Sequence, residues 1–315
     1  MIDSDPARPR GDLDVTWISG SPSSRRTDPP LQVHAFDPET FILRQSMSVH
    51  REAPFLYLLL GSDRALLLDT GGTADSTRFP LRATVDALID AWLDAHPRDT
   101  YELVVAHSHA HDDHLAADVQ FTDRPETVVV GSDVDSVCEF FGFDEWPTDI
   151  VTFDLGGRVL EITGCPGHHE TSIAVYDPKS GFLLTGDTVY PGRLYVDDMP
   201  AFTDSLDRLV AFADARTVTH LMGGHVEMTK RPGHDYPMGA NSQPDELPLP
   251  MSPARLATVA AAAHAVADQP GAHVFDDFVI FNGPCRAAVA RHLGQTLFDR
   301  TRNAVSARRG ARTPR

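Results

Sequence analysis

The run His109-Ala110-His111-Asp112-Asp113-His114 constrains this chain more than any other stretch. It follows Leu103-Val104-Val105-Ala106, an apolar run with the length and β-branched content of a buried strand. Ligand-type side chains this dense behind a strand sit where the chain must turn. In extended backbone, residues i and i+2 point the same way, so two imidazoles at that spacing can share one metal ion. Two registers offer the spacing, His107 with His109 and His109 with His111. The second leaves Asp113 and His114 just beyond the turn, where they can face a second ion. The first leaves Asp113 four residues past its last His, with no neat turn to bring it back. The favoured pair is therefore His109 and His111, with His107 buried against a hydrogen-bond partner. Neutral imidazole and carboxylate suit zinc, and also iron or manganese. Asp112 is then a surplus carboxylate, expected to shape the turn or cap a helix.

The rest of the chain alternates short apolar runs with turn signals. Phe55 to Leu60 and Ala65 to Asp69 read as a hairpin of two buried strands, ended by Thr70-Gly71-Gly72. Pro80 opens a helix whose Val85, Leu88, Ile89, Trp92 and Leu93 follow the 3.6-residue period. The second half repeats this grammar. Strands are expected over Arg158 to Thr163, Ser172 to Tyr176, Phe182 to Thr185 and Thr217 to Met222, with a helix from Asp204 to Ala213. Strands followed by helices, twice over, imply an α/β fold, a four-layer αββα sandwich spanning residues 31–300. Residues 1–30 read as a loosely ordered lead-in. Residues 226–255, rich in Pro, read as a long loop near the site, because such loops in compact proteins are usually functional or disordered. Two last helices, roughly Pro253 to Asp268 and Pro284 to Asp299, flank a strand from Phe278 to Phe281. Residues 301–315 read as a disordered basic tail.

Composition narrows the partners. Lys and Arg number 27 against 45 Asp and Glu, a formal net charge of −18, so a polyanionic nucleic acid is a poor substrate. Cys138, Cys165 and Cys285 are far apart and odd in number, which fits a reducing compartment rather than a disulfide framework. The opening Met1-Ile2-Asp3-Ser4-Asp5-Pro6 has neither a basic nor an apolar leader, and no apolar run is long enough to span a bilayer. A cytoplasmic enzyme acting on a small molecule, without membrane or nucleic-acid partners, is the expectation.

From Phe55 to His225 the chain resembles the metallo-β-lactamase superfamily, whose signatures recur in order. The strand-terminal Asp is matched by Asp69, and His-x-His-x-Asp-His by His109, His111, Asp113 and His114. The isolated third-motif His is matched by His168, the bridging Asp by Asp187 and the last His by His225. The resemblance implies two zinc ions per chain, one held by His109, His111 and His168, the other by Asp113, His114 and His225. Asp187 bridges them, and Asp69 orients the metal-binding loop through hydrogen bonds. It also implies a dinuclear hydrolase in which Asp113 and Asp187 serve catalysis and a metal-bridging hydroxide attacks an ester, thioester or lactone. The thioesterase and lactonase branches, the former glyoxalase II-like, fit best. The alternatives are a mononuclear-iron sulfur dioxygenase of the same fold and a β-lactam hydrolase.

Departures from the family pattern are informative. Leu115-Ala116-Ala117 stands where Gly-Gly is common, and His169 adds an imidazole beside His168, expected to be structural or solvent-facing. Cys165, three residues before His168, is expected to be a packed thiol. Tyr190, three residues after Asp187, matches a Tyr that positions substrate in acyl-homoserine lactonases, so it is a candidate catalytic and substrate-binding residue. Tyr195 and Arg193 are weaker candidates in the same loop. His234 and Tyr236, with Asp235 between them, are candidate substrate contacts in the Pro-rich loop.

Overall fold

The computed structural model describes residues 11–21 and 28–283. The helix expected over 284–299 and the basic tail lie outside the described residues. Two six-stranded sheets form the centre. The first runs in the order β1 (Leu31–Asp37), β2 (Thr40–Gln45), β3 (Phe55–Leu60), β4 (Arg64–Leu68), β5 (Glu102–Ala106), β6 (Thr127–Val129). Its first four strands pair antiparallel, and β4, β5 and β6 are parallel. The crossover from β4 to β5 carries α1 (Leu81–Ala95), and the chain from β5 onward carries α2 (Asp112–Leu115) and, after β6, α3 (Val134–Phe141).

The second sheet contains β7 (Ile150–Asp154), β8 (Val159–Gly164), β9 (Ile173–Asp177) and β10 (Phe182–Gly186). A third, three-stranded sheet begins with β11 (Arg193–Val196), and α4 (Met199–Asp214) follows it. Then come β12 (His220–Gly223), β13 (Pro250–Met251), α5 (Ala254–Val266), β14 (Gly271–Val274) and β15 (Val279–Asn282). The second sheet is ordered β13-β12-β10-β9-β8-β7, and the third β11-β15-β14.

The central strands are apolar at nearly every position because both of their faces are covered. Tyr57, Leu59, Leu66, Leu68 and Val104 of the first sheet meet Leu160, Ile162, Val175, Phe182 and Leu184 of the second in one buried cluster. The alternate residues Leu56, Leu58, Leu67 and Val105 turn outward onto Val85, Ile89 and Trp92 of α1. On the far side Ala174, Tyr176, Leu183 and Leu221 lie under α4 and α5, against Phe202, Leu206, Leu209, Leu256, Val259 and Ala263. This is the four-layer αββα arrangement expected from the sequence.

Some elements differ from expectation. Helix α4 starts at Met199, with Asp198 as its N-cap, not at Asp204. Residues 11–21 do not trail away as a lead-in would. Leu13 and Trp17 pack on the central cluster, with Trp17 edge-on to Phe55 at 5.1 Å. The Pro-rich stretch is likewise strapped down. Met228 pairs with Asp235 and Thr229 with Glu246, while Leu249 is buried in the core. Truncating the fully buried Leu184 to Ala is expected to cost about 2–5 kcal/mol, since it opens a cavity between the sheets. Urea unfolding of the chelator-treated protein measures this, and a loss below about 1 kcal/mol would contradict the packing.

Candidate metal centre

Strand direction gathers the site. β10 pairs parallel with β12, and β8 runs antiparallel to β9, which runs antiparallel to β10. The C-terminal ends of β8, β10 and β12 therefore share one end of their sheet. His168, Asp187 and His225 lie in the segments that leave those ends. In the other sheet β4 and β5 are parallel, so Asp69 and the stretch His107–His114 leave together as well. Two backbone hydrogen bonds stitch the sheets here, Phe55 N–H to Gly224 O at 2.8 Å and Ile173 N–H to Ser108 O at 2.9 Å. His111 is the N-cap of the short α2, which puts Asp113 and His114 on its first turn.

Three donor groups converge. His109 Nε2, His111 Nδ1 and His168 Nε2 lie 3.0, 3.0 and 3.2 Å from one another. Tetrahedral zinc ligands at about 2.0–2.1 Å from the ion would stand roughly 3.3 Å apart, so the spacing fits a metal. Beside them, His114 Nε2 and His225 Nε2 are 3.2 Å apart, and Asp113 Oδ2 lies 3.8 and 3.4 Å from them. Asp187 stands between the two sets, its Oδ2 lying 3.7 Å from His168 Nε2 and 3.5 Å from His225 Nε2. All seven residues expected as ligands thus come together, and each set of three could hold an ion.

The other ring nitrogens fix which atoms face inward. His168 Nδ1 donates to Tyr195 O at 2.7 Å and His225 Nδ1 to Glu52 O at 2.9 Å. His114 Nδ1 donates to Asp69 Oδ2 at 2.9 Å. His109 Nδ1 donates to Ser108 Oγ at 3.1 Å, and that hydroxyl donates in turn to Asp69 Oδ2 at 2.9 Å. A ring nitrogen that donates there leaves the neutral imidazole a bare lone pair at Nε2, the form that ligates metal. Four such lone pairs point at one another, and lone pairs cannot satisfy each other.

The charges agree. Burial and the neighbouring imidazoles hold His109 well below its ordinary value. Burial also opposes charge on His114, yet Asp69 and Asp187 outweigh it and lift that imidazole well above the usual range. His225 rises to about 9 against its own burial, through Asp187 and Asp113. Burial pushes Asp187 up, but His225 and His114 bring it down to about 2. The carboxylates therefore demand positive charge where the imidazoles offer lone pairs, and a dication meets both requirements. Two observations sharpen the fit. Asp187 Oδ1 is buried with no hydrogen-bond partner. A Cβ on Gly224 would stand 2.4 Å from that oxygen and 3.0 Å from His114 Cε1, so only glycine keeps the cradle open.

Asp69 organises the loop around these donors. Its backbone takes a φ of 70°, unusual for a residue with a side chain. Its carboxylate accepts from Ser108 N–H at 2.7 Å, from Ser108 Oγ and from His114 Nδ1. His107 faces away from the cluster, with Nε2 on Asp118 Oδ1 at 2.9 Å, where Thr70 Oγ1 also donates. His169 sits at the rim with Thr171 N–H and hydroxyl on its Nδ1. Cys165 is a packed thiol beside Thr188, raised to about 12 by burial.

The expected substrate contacts are placed differently. Tyr190 is buried and its hydroxyl donates to the Arg193 carbonyl, so it is committed within the protein. Its ring backs His225, with centroids 5.6 Å apart. Tyr236 accepts from Asp245 N–H at 2.6 Å through its hydroxyl, and His234 is an exposed turn residue whose carbonyl accepts from Thr229 N–H. Among the described residues, His234 belongs to no converging donor set. Sequence reasoning missed the Glu52 and Tyr195 carbonyls, which no side-chain pattern reveals. It also missed the buried Glu227, whose carboxylate takes Arg193 N–H at 2.7 Å and the Arg193 guanidinium.

The chain belongs to the metallo-beta-lactamase superfamily, whose family model matches residues 52–225, more than half of its length. Membership implies a divalent metal centre, which the His and Asp clusters accommodate. It is similar to a hydroxyacylglutathione hydrolase of Synechococcus sp. (strain JA-3-3Ab), 32% identical over 128 residues that cover 37% of this chain and 48% of the relative. The match thus spans about half the length of that relative. It is also similar to acyl-coenzyme A thioesterase MBLAC2 of Bos taurus, 26% identical over 208 residues, covering 54% of this chain and 72% of that one. A solved DIM-1 metallo-beta-lactamase is 16% identical, covering 76% of this chain and 98% of its own, with a TM-score of 0.49.

Asp69→Asn keeps a side chain that tolerates positive φ but removes the charge facing His114. The expected outcome is a 10–100-fold loss of metal affinity, typical of losing such a supporting acceptor. Competition with a chromophoric chelator measures it, and wild-type affinity would contradict the role given to Asp69.

Proposed function

We propose that this protein is a metal-dependent hydrolase that cleaves the acyl thioester of a small thiol carrier, with two zinc ions per chain. The observation that carries the proposal is the pair of converging donor sets with a buried, unpartnered carboxylate oxygen between them. His109, His111 and His168 would hold one ion, Asp113, His114 and His225 the other, and Asp187 would lie between the two. Bound there, the ions would lower the pKa of a water toward neutrality and polarise the attacked carbonyl.

The chain's own residues do the rest. Asp69, Ser108 and the Glu52 and Tyr195 carbonyls hold the imidazoles in one tautomer and one orientation. Asp113 and Asp187 stay ionised, each held below the ordinary carboxylate range by His225 and His114 despite burial. The low-dielectric sandwich beneath strengthens every one of these interactions. Thioesters are preferred because both named relatives act on them, a hydroxyacylglutathione hydrolase and an acyl-coenzyme A thioesterase.

Metal quantification joined to a panel of thioesters, lactones, phosphodiesters and β-lactams tests the reading. Expected are two zinc per chain and thioester turnover that a chelator abolishes and zinc restores. Asp187→Ala should lose metal and reduce kcat/KM more than about 100-fold, a loss of about 2.7 kcal/mol or more in transition-state stabilisation. His107→Ala, which removes a ring hydrogen-bonded to Asp118, should be far milder. One iron per chain with oxygen uptake would overturn the proposal, and so would an Asp187→Ala variant with full activity.

A further inference from the structure

The segment from Ser46 to Pro54 joins β2 to β3 and crosses the metal end of the sandwich. It is pinned on both sides. Gln45 Oε1 accepts from Gly72 N–H at 2.9 Å, and Glu52 O accepts from the ligand His225. His50 lies between these pins, half-buried, and its carbonyl accepts from Ala53 N–H at 3.2 Å to close a turn. The Nδ1 edge of its ring lies on Gly72, where a Cβ would stand 2.5 Å from Nδ1 and 2.7 Å from Cε1. Only glycine at position 72 admits the imidazole.

His50 Nδ1 is buried and has no hydrogen-bond partner. A buried N–H without an acceptor is the rarest orphan in proteins, whereas an under-used acceptor is tolerated more readily. The proton therefore resides on Nε2, across the ring from the buried edge, and the residue as a whole is partly exposed. Burial, reinforced by His225 and Arg51 and opposed by Asp113 and Glu52, holds the imidazole below its ordinary value. It lies near enough to Asp113 and His225 for their charges to act on it. Among the described residues no converging donor set includes it, so it is assigned no ligand role.

We propose that His50 is a substrate-binding residue of this centre, its Nε2–H donating to a carbonyl or amide oxygen on the thiol side of the acyl thioester, and that Gly72 exists to seat the ring. This rests on the thioesterase reading above. A donor at this place fixes the carrier next to the second metal set, while the scissile carbonyl reaches the space between the two sets. It also supplies what Tyr190, His234 and Tyr236 do not, a polar group on the ligand end left unspent by the fold.

The test uses zinc-loaded wild type, His50→Ala, His50→Gln and Gly72→Ala. Hydroxyacyl-glutathione and a short acyl-coenzyme A serve as substrates, the matching S-alkyl thioethers as non-hydrolysable ligands, and zinc affinity is read by chelator competition. His50→Ala should keep both zinc ions at wild-type affinity. It should raise KM and the thioether Kd about tenfold with kcat changed less than about threefold, the signature of one lost hydrogen bond to substrate. His50→Gln, which restores an N–H at similar reach, should recover most of the loss, and Gly72→Ala should reproduce His50→Ala by displacing the ring. A wild type that turns over thioester and binds thioether, matched in both by His50→Ala, overturns the His50 assignment alone. Loss of zinc in His50→Ala also overturns it, by making the residue part of the metal site. A wild type that neither hydrolyses the thioesters nor binds the thioethers overturns the thioesterase reading and this assignment with it.

Discussion

Nitrogen lone pairs held against nitrogen lone pairs are what the rest of this molecule has to sustain. His109 meets His168, and His114 meets His225, each at 3.2 Å between Nε2 atoms. Rings free to turn would swing away from such contacts. They are prevented by one hydrogen bond apiece on the far nitrogen, each worth about 0.5–1.5 kcal/mol net. Glu52 holds His225, Tyr195 holds His168, and Asp69 holds His114 directly and His109 through Ser108. The buried Asp187 oxygen adds a further unfavourable term. Metal affinity is therefore coupled to folding, because a cation removes a penalty the folded chain otherwise carries.

The two sheets can bear that load because they are joined at both ends. Opposite the metal centre, Arg158 Nη2 pairs with Asp177 Oδ2 at 2.6 Å, and its guanidinium also donates to the carbonyls of Glu39 and Leu60 and to Thr40 Oγ1. Asp177 belongs to β9 of the second sheet, whereas Thr40 and Leu60 belong to β2 and β3 of the first. A buried pair of this kind gains little over an apolar pair of the same volume, but it fixes register, since breaking it leaves a charge stranded. With register fixed at that end, the loops at the other end meet in one arrangement. The Phe55–Gly224 and Ile173–Ser108 backbone bonds are the places where they do.

The legible parts of the sequence were those where one residue type has one physical use. Continuous apolar runs announced β3, β4, β5 and β10, because strands covered on both faces admit little else. The ligand set was legible because imidazoles and carboxylates at turn spacings behind strands serve few purposes besides binding metal. Edge strands were not legible. β7 alternates exposed and partly buried residues over only five positions, Ile150 to Asp154, and β6 has just three. Helix α3 was missed although its punctuation is plain, with Asp133 capping Ser136 N–H and Gly142 ending it at a φ of 82°. Tyr190 and Tyr236 mark a limit of what a sequence can tell. A hydroxyl in a sequence carries no sign of which backbone group it meets, and here nearby backbone groups took both.

Charge distribution finally bears on what can reach this centre. The chain carries a net charge of −18, yet several of its arginines are internal. Arg44 is spent on Glu246, Arg158 on Asp177, and Arg193 on Glu227 and Asp235, all with side chains at most 5% exposed. Each of these cations is neutralised by the carboxylate it pairs with, so the acidic excess stays with the remainder of the chain. The field of that excess concentrates divalent cations near the surface and slows the approach of long polyanions, while a small carrier with few charges is little affected. The field thus favours loading of the metal sites. On the thioesterase reading proposed above, discrimination among small thioesters would fall to neutral donors and to shape at the ligand end. At that end His50 Nδ1 is buried against Gly72 without a hydrogen-bond partner, and the other ring nitrogen is the one proposed to meet the carrier.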